Sequence, residues 1–303
     1  MKTATYTKTV ATGLFQLGLS LSLLLVPVQG QALDHLSVKF TKKSQLRTSF
    51  RWIQNQPKLI RNSSLTPILV DSGYPGGGAN GGKHDRPKTV GVPEEFNDVH
   101  LPYAAVGKIF FTKRNGEIST CTGAFAGAAD TVITAAHCVL GMSGEWHSDF
   151  IFVLSYGGEQ QDVYAVECVA VPQEWGTLEG DAALGYDYAF LRTTRASEQG
   201  SLGITNGIPP EDIMLVGYSN NIQNGRRMLR VAVDAYADGP DKLAYANNPL
   251  STGSSGTPWL GMSTVYSVTS HFHKERKDIM LGPRFTRQTM DLLKYARNGC
   301  EGV

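Results

Sequence analysis

Val132-Ile133-Thr134-Ala135-Ala136-His137-Cys138 is the stretch from which the rest of this chain can be read. Its three β-branched residues suit a pleated, buried strand, and two small alanines carry that strand to a histidine directly before a cysteine. Cys121, in Cys121-Thr-Gly-Ala-Phe125, lies seventeen residues upstream, so a short disulfide is able to pin the histidine's loop. The chain has seven histidines, and none of the other six has such a setting. Two further segments stand out. Asp187-Tyr-Ala-Phe-Leu191 sets a carboxylate before an apolar strand, and Gly253-Ser254-Ser255-Gly256-Thr257-Pro258 sets hydroxyls between glycines.

Histidine, aspartate and serine thus follow one another along the chain. Acyl transfer at neutral pH needs a hydroxyl activated by a base, a carboxylate to orient that base, and donors for the developing oxyanion. In their order and local settings, the three segments resemble the chymotrypsin-like (trypsin-fold) serine proteases, particularly the bacterial glutamyl-endopeptidase-like branch. The resemblance covers roughly residues 100–300. It implies His137 as general base, Asp187 as its orienting carboxylate and Ser255 as nucleophile. It also implies an oxyanion hole made by the N–H groups of Gly253 and Ser255. Asp181 is a rival carboxylate, but no convincing strand follows it directly. Ser254 is a rival nucleophile, but the frame Gly-x-Ser-Gly-x-Pro selects Ser255.

The order of elements agrees with an all-β fold. Short strands are expected at 106–112, 119–125, 131–134, 150–154, 162–171 and 188–192, then at 213–217, 227–235, 242–245, 257–262 and 265–270. So many short strands in about 215 residues fit two packed six-stranded antiparallel β-barrels better than one sandwich. A C-terminal α-helix is expected over 286–298, where Met290, Leu292, Leu293 and Ala296 share one face and Gly299 ends the run. The domain reading is 1–32 signal peptide, 33–88 propeptide and glycine-rich linker, 89–200 N-terminal barrel with His137 and Asp187, and 201–303 C-terminal barrel with Ser255 and the helix.

Lys2 and Lys8 precede an apolar run from Val10 to Val28, and Gly30-Gln31-Ala32 offers a cleavage site. Export is expected, to the periplasm or the cell exterior, with an uncleaved anchor as the alternative. Residues 33–88 hold ten Lys/Arg and three Asp/Glu, a charge of +7, whereas residues 89–303 hold sixteen and twenty-four, a charge of −8. An acidic body argues against nucleic-acid binding, and a basic leader suits electrostatic docking before removal at Lys83, Arg86 or Lys88. A tether that is never processed is the other reading. Four cysteines allow three pairings, and in an exported chain they suggest two disulfides. The resemblance favours Cys121–Cys138, which leaves Cys168 with Cys300. On a loop-entropy basis the two bridges contribute roughly 3 and 5 kcal/mol.

Two departures from the resembled family concern activation and specificity. Ser254 stands where digestive proteases carry the aspartate that pairs with a new N-terminus. Pro249, six residues before Ser255, disfavours a Lys/Arg preference. Thr269 stands where the glutamyl branch carries its pocket histidine, and Leu250 replaces an expected hydroxyl. Leu250, Thr269, Ser270 and His271 are the expected substrate-binding residues. His271 and His273 fall on one strand face at period two; as a zinc pair they lack further obvious ligands. The expected function is a secreted serine endopeptidase made as a zymogen, the alternative a non-catalytic protease-fold binding protein. Protein or peptide substrates are the expected partners. No cofactor, metal, nucleic acid or membrane is expected once the signal is removed, and the body is expected to be a monomer.

Overall fold

Strands form where β-branched and aromatic residues cluster between turns. The structure is a computed structural model that describes residues 35–40, 91–95, 100–158, 161–210 and 212–301. The expected signal segment, the glycine-rich linker and the sites Lys83, Arg86 and Lys88 lie outside the described residues. The described chain opens with β1 (His35–Lys39) and β2 (Glu94–Glu95). Six strands follow: β3 (Val106–Thr112), β4 (Ile118–Phe125), β5 (Thr131–Thr134), β6 (Ser148–Leu154), β7 (Asp162–Pro172) and β8 (Ala189–Thr193). A short helix, α1 (Gln173–Thr177), joins β7 to β8.

Strands β3 to β8 close into an antiparallel barrel in the order β7-β6-β3-β4-β5-β8, with β8 returning to β7. Its centre is aromatic. Phe125 meets Phe152 and Tyr164 edge to face, with ring centroids 5.1 and 4.9 Å apart.

The second half contains β9 (Gly203–Ile204), β10 (Asp212–Gly217), β11 (Leu229–Asp234), β12 (Tyr236–Ala237), β13 (Lys242–Tyr245), β14 (Pro258–Gly261), β15 (Thr264–Val268) and β16 (Met280–Pro283). Its ladders divide into the sheets β2-β11-β10-β14-β15-β9 and β12-β13-β16. The chain bends at Ala235, carrying β11 into β12 and so from one sheet to the other. The second junction lies just past β15. Ser270 N–H donates to Leu281 O at 3.0 Å, and Leu281 N–H donates to His271 O at 2.8 Å. These bonds join the two sheets into a second barrel around Trp259, whose ring meets Tyr245 at 5.2 Å.

The closing helix α2 (Arg287–Arg297) starts on a capping box in which Thr289 Oγ1 accepts the Thr286 N–H at 3.0 Å. It buries Leu292, Leu293 and Ala296, leaves Met290 half-buried, and is followed by Cys300, bonded to Cys168 of β7.

β1 lies within the span expected to be a removable leader, yet it pairs antiparallel with β7 from His35–Pro172 to Lys39–Cys168. Its alternation explains why: Leu36 and Val38 pack on the first barrel's core. Ser37 Oγ sits 2.9 Å from Tyr295 Oη of α2, and Lys39 pairs with Glu301. The leader span therefore contributes a strand to the barrel sheet.

Candidate active site

β5 ends at Thr134, and Ala136–Cys138 form one 3₁₀ turn that lifts His137 from the barrel rim. The disulfide Cys121–Cys138 ties this turn to β4. β8 pairs with β5, Thr134 opposite Ala189, so Asp187 arrives beside His137 just before β8 begins. Its carboxylate is wholly buried. Oδ1 accepts the His137 backbone N–H at 2.9 Å, and Oδ2 faces His137 Nδ1 at 2.8 Å. Two contacts with one carboxylate fix both the position and the tilt of the imidazole, and they favour the tautomer protonated at Nδ1.

The second barrel contributes to the same carboxylate. Ser270 Oγ–H donates to Asp187 Oδ2 at 2.5 Å, and His271 Nδ1 stands 3.1 Å from that oxygen. Burial alone would raise the Asp187 pKa, but the charges and hydrogen bonds of His137 and His271 outweigh it and hold the group well below the usual carboxylate range. Burial likewise works against a charged His271, and Asp187 reverses the balance, so its pKa is raised. Trp175 of α1 braces this corner. Its Nε1–H donates to Leu140 O at 2.8 Å, and its ring centroid lies 6.3 Å from that of His271.

Ser255 occupies the turn between β13 and β14, half-buried. Gly253 has φ +88° and Gly256 φ +80°, conformations that side chains other than glycine rarely adopt. A Cβ on Gly256 would collide with Thr134 Oγ1 and the Thr122 carbonyl, and would stand 2.9 Å from Ala135 N. The serine turn is thus pressed against the strand end that carries His137.

Thr122 of β4, which sequence reasoning missed, links the two barrels here. Its N–H donates to Ser255 O at 2.8 Å and its hydroxyl to Gly253 O at 3.0 Å. The same hydroxyl accepts the Tyr218 N–H at 3.0 Å, and the Thr122 carbonyl accepts from Thr134 Oγ1 at 2.7 Å. Nothing in Cys121-Thr-Gly signals these partners, because all but Thr134 are distant in sequence.

The other expected residues are placed as follows. Ser254 is buried and donates to Ser251 O at 2.6 Å, satisfying its hydroxyl within its own turn. Leu250 belongs to the core around Trp259, and Thr269 Oγ1 accepts the Trp259 Nε1–H at 3.1 Å. Both face the barrel interior, whereas Ser270 and His271 face Asp187. His273 is apart from them, its Nδ1 accepting the N–H groups of Glu275 and Arg276 at 3.2 Å. Asp181 is exposed.

No protein-family model matches the chain, and no curated protein matches its sequence. Solved structures do match. A thermostable serine protease, AL20, from an extremophilic microorganism is 26% identical with a TM-score of 0.57, over 65% of this chain and 98% of that one. The protease Anisep from Arthrobacter nicotinovorans is 25% identical with a TM-score of 0.55, over 69% of this chain and 100% of that one. A Glu endopeptidase, 17% identical, aligns with a TM-score of 0.57 over 68% of this chain and 96% of that one.

Proposed function

We propose that this chain, which has the chymotrypsin fold and serine proteases among its structural neighbours, is an exported serine endopeptidase made as a zymogen. The observation that carries the reading is the fully buried Asp187 gripping His137 through both its backbone N–H and Nδ1. A carboxylate so placed suits general-base chemistry: it keeps Nε2 of the imidazole free to accept a proton and stabilises the imidazolium that results.

In the proposed mechanism His137 Nε2 takes the Ser255 hydroxyl proton as Oγ attacks the peptide carbonyl. The N–H groups of Gly253 and Ser255 receive the oxyanion. His137 then gives its proton to the departing amine, and an acyl-enzyme remains. Water repeats the sequence, deprotonated by His137, and releases Ser255. Peptide substrates are read on the side of Ser270 and His271; Leu250 and Thr269 shape the pocket from inside the barrel.

Export is supported by the two disulfides, which persist in oxidising compartments. Among the described residues no helix is long and apolar enough to cross a membrane. Cleavage of the leader near Lys83, Arg86 or Lys88 cuts the chain without breaking the β1–β7 ladder.

Labelling with a fluorophosphonate before and after limited trypsin treatment tests the proposal, with the adduct mapped by mass spectrometry. Label on Ser255 that rises after trypsin, and is absent in Ser255→Ala, is the expected result. Folded protein that takes no label in either state would overturn it in favour of a protease-fold binding protein.

A further inference from the structure

Asp187 holds two imidazoles, and the proposed proton transfer uses only one. Both rings direct Nδ1 at the same carboxylate oxygen, His137 from 2.8 Å and His271 from 3.1 Å. One donor atom from each of the three side chains lies within 4.8 Å of the other two. The rings stand edge to face with centroids 4.8 Å apart. Their side chains are 21% and 28% exposed, so the cluster is reached from solvent although its carboxylate is buried.

We propose that His137, His271 and Asp187 form a binding site for a zinc ion, and that zinc bound there switches off the hydrolytic centre. Two imidazole nitrogens and a carboxylate oxygen are a donor set that Zn²⁺ takes, with imidazole favouring zinc over magnesium or calcium. Zinc–donor bonds of roughly 2.0–2.2 Å at tetrahedral angles set donors about 3.3 Å apart. The distances of 2.8 and 3.1 Å therefore need to open by only a few tenths of an ångström. Ser270 Oγ, 2.8 Å from His271 Nδ1, or a water molecule completes the set. The alternation of His271 and His273 along the chain suggests a different pair. In the fold, His273 Nδ1 is engaged by its own turn, and the additional ligands for His271 come from the first barrel.

The inhibition follows from the single N–H of a neutral imidazole. Zinc takes the lone pair of His137 Nδ1, and the proton from that nitrogen passes to Nε2. No proton is gained or lost by the ring. Nε2 then carries a hydrogen where the serine mechanism needs a lone pair, so Ser255 keeps its proton. This inhibition rests on the protease reading; the binding itself does not.

The full chain carrying Ser255→Ala, titrated with Zn²⁺ alone by calorimetry at neutral pH, tests the binding without autolysis. One ion per chain is expected, removable by EDTA, with His271→Asn weakening it by roughly 10- to 100-fold or more and His273→Asn leaving it unchanged. In the Ser255 protein, Zn²⁺ should suppress fluorophosphonate labelling at the same midpoint, reversibly. Absence of binding up to about 1 mM, or binding that survives His271→Asn, would overturn the site. Binding lost through His273→Asn would do the same. A folded Ser255 protein that takes no label in metal-free buffer either before or after limited trypsin treatment counts against the protease reading, while calorimetry still decides the site.

Discussion

Replacing Asp187 with asparagine isolates what the buried carboxylate does. Oδ2 receives Ser270 Oγ at 2.5 Å and faces the Nδ1 atoms of His137 at 2.8 Å and His271 at 3.1 Å; Oδ1 receives the His137 N–H at 2.9 Å. Asparagine keeps one acceptor oxygen and replaces the other with an NH₂ donor. If its oxygen stays on the His137 N–H, the NH₂ group faces Nδ1 and forces the proton onto Nε2, the wrong tautomer for a base. In proteases with this arrangement that change lowers kcat by about 10⁴, or about 5.5 kcal/mol at 1.36 kcal/mol per decade. Because Asp187 has no exposed surface, it touches no substrate, so KM should stay within a few-fold of wild type. The assay is kcat and KM on a peptide substrate, with thermal unfolding measured on the same preparations. Asp181→Asn is the control: it is exposed and should change neither constant. A folded Asp187→Asn protein with kcat within about tenfold of wild type would refute the proposed role of the carboxylate.

Thr122→Val keeps the shape of the side chain but leaves the Tyr218 N–H and the Gly253 carbonyl without their partner, at about 1–3 kcal/mol for each group. Urea unfolding should register that loss and kcat should fall with it; a variant of unchanged stability would show that the barrels are held together elsewhere. Lys108 is buried with Nζ donating to Gly225 O at 2.5 Å, and burial, helped by Arg226, lowers its pKa from 10.5 to about 8. A lysine pKa below its unfolded value penalises the folded state below about pH 8, and the penalty fades as pH approaches 10.5. Between neutral pH and that limit, wild type should therefore gain about 3 kcal/mol relative to Lys108→Met. Urea midpoints across that range check it, and a gap independent of pH would exclude a charged, desolvated lysine.

Strands whose stability is local were legible in the sequence. Thr131–Thr134 and Val106–Thr112 form where β-branched and aromatic residues cluster, and Lys242–Tyr245 where Leu243 and Tyr245 alternate onto the core around Trp259, all with bounds as expected. β1 was not legible, because five residues with two apolar side chains make a strand only when an open edge is available. Residues 168–172 of β7 offer that edge. β16 is similarly short, and its partners are β13 and the chain past β15. Of the candidate site, His137, Asp187 and the serine turn could be read because each has a distinctive immediate setting. Thr122 could not, since its role depends on Tyr218 and Gly253, which reach it only after the barrels dock.

The two histidines after β15 show how residues at alternate positions of one paired segment can receive entirely different partners. Pairing runs through both: His271 O accepts the Leu281 N–H at 2.8 Å, His273 N–H donates to Ile279 O at 2.9 Å, and Phe272 bridges Met280 between them. β15 ends at Val268, and the chain then pairs with β16 while crossing the rim of the first barrel. His271 is drawn onto Asp187 there, and His273 turns back to cap its own loop. The imidazole that looked like a pocket residue thus bears on the carboxylate proposed to orient His137 as the base. Any substitution at His271 should consequently alter the proton chemistry of His137 as well as substrate choice, and kcat and KM measured separately will divide the two effects.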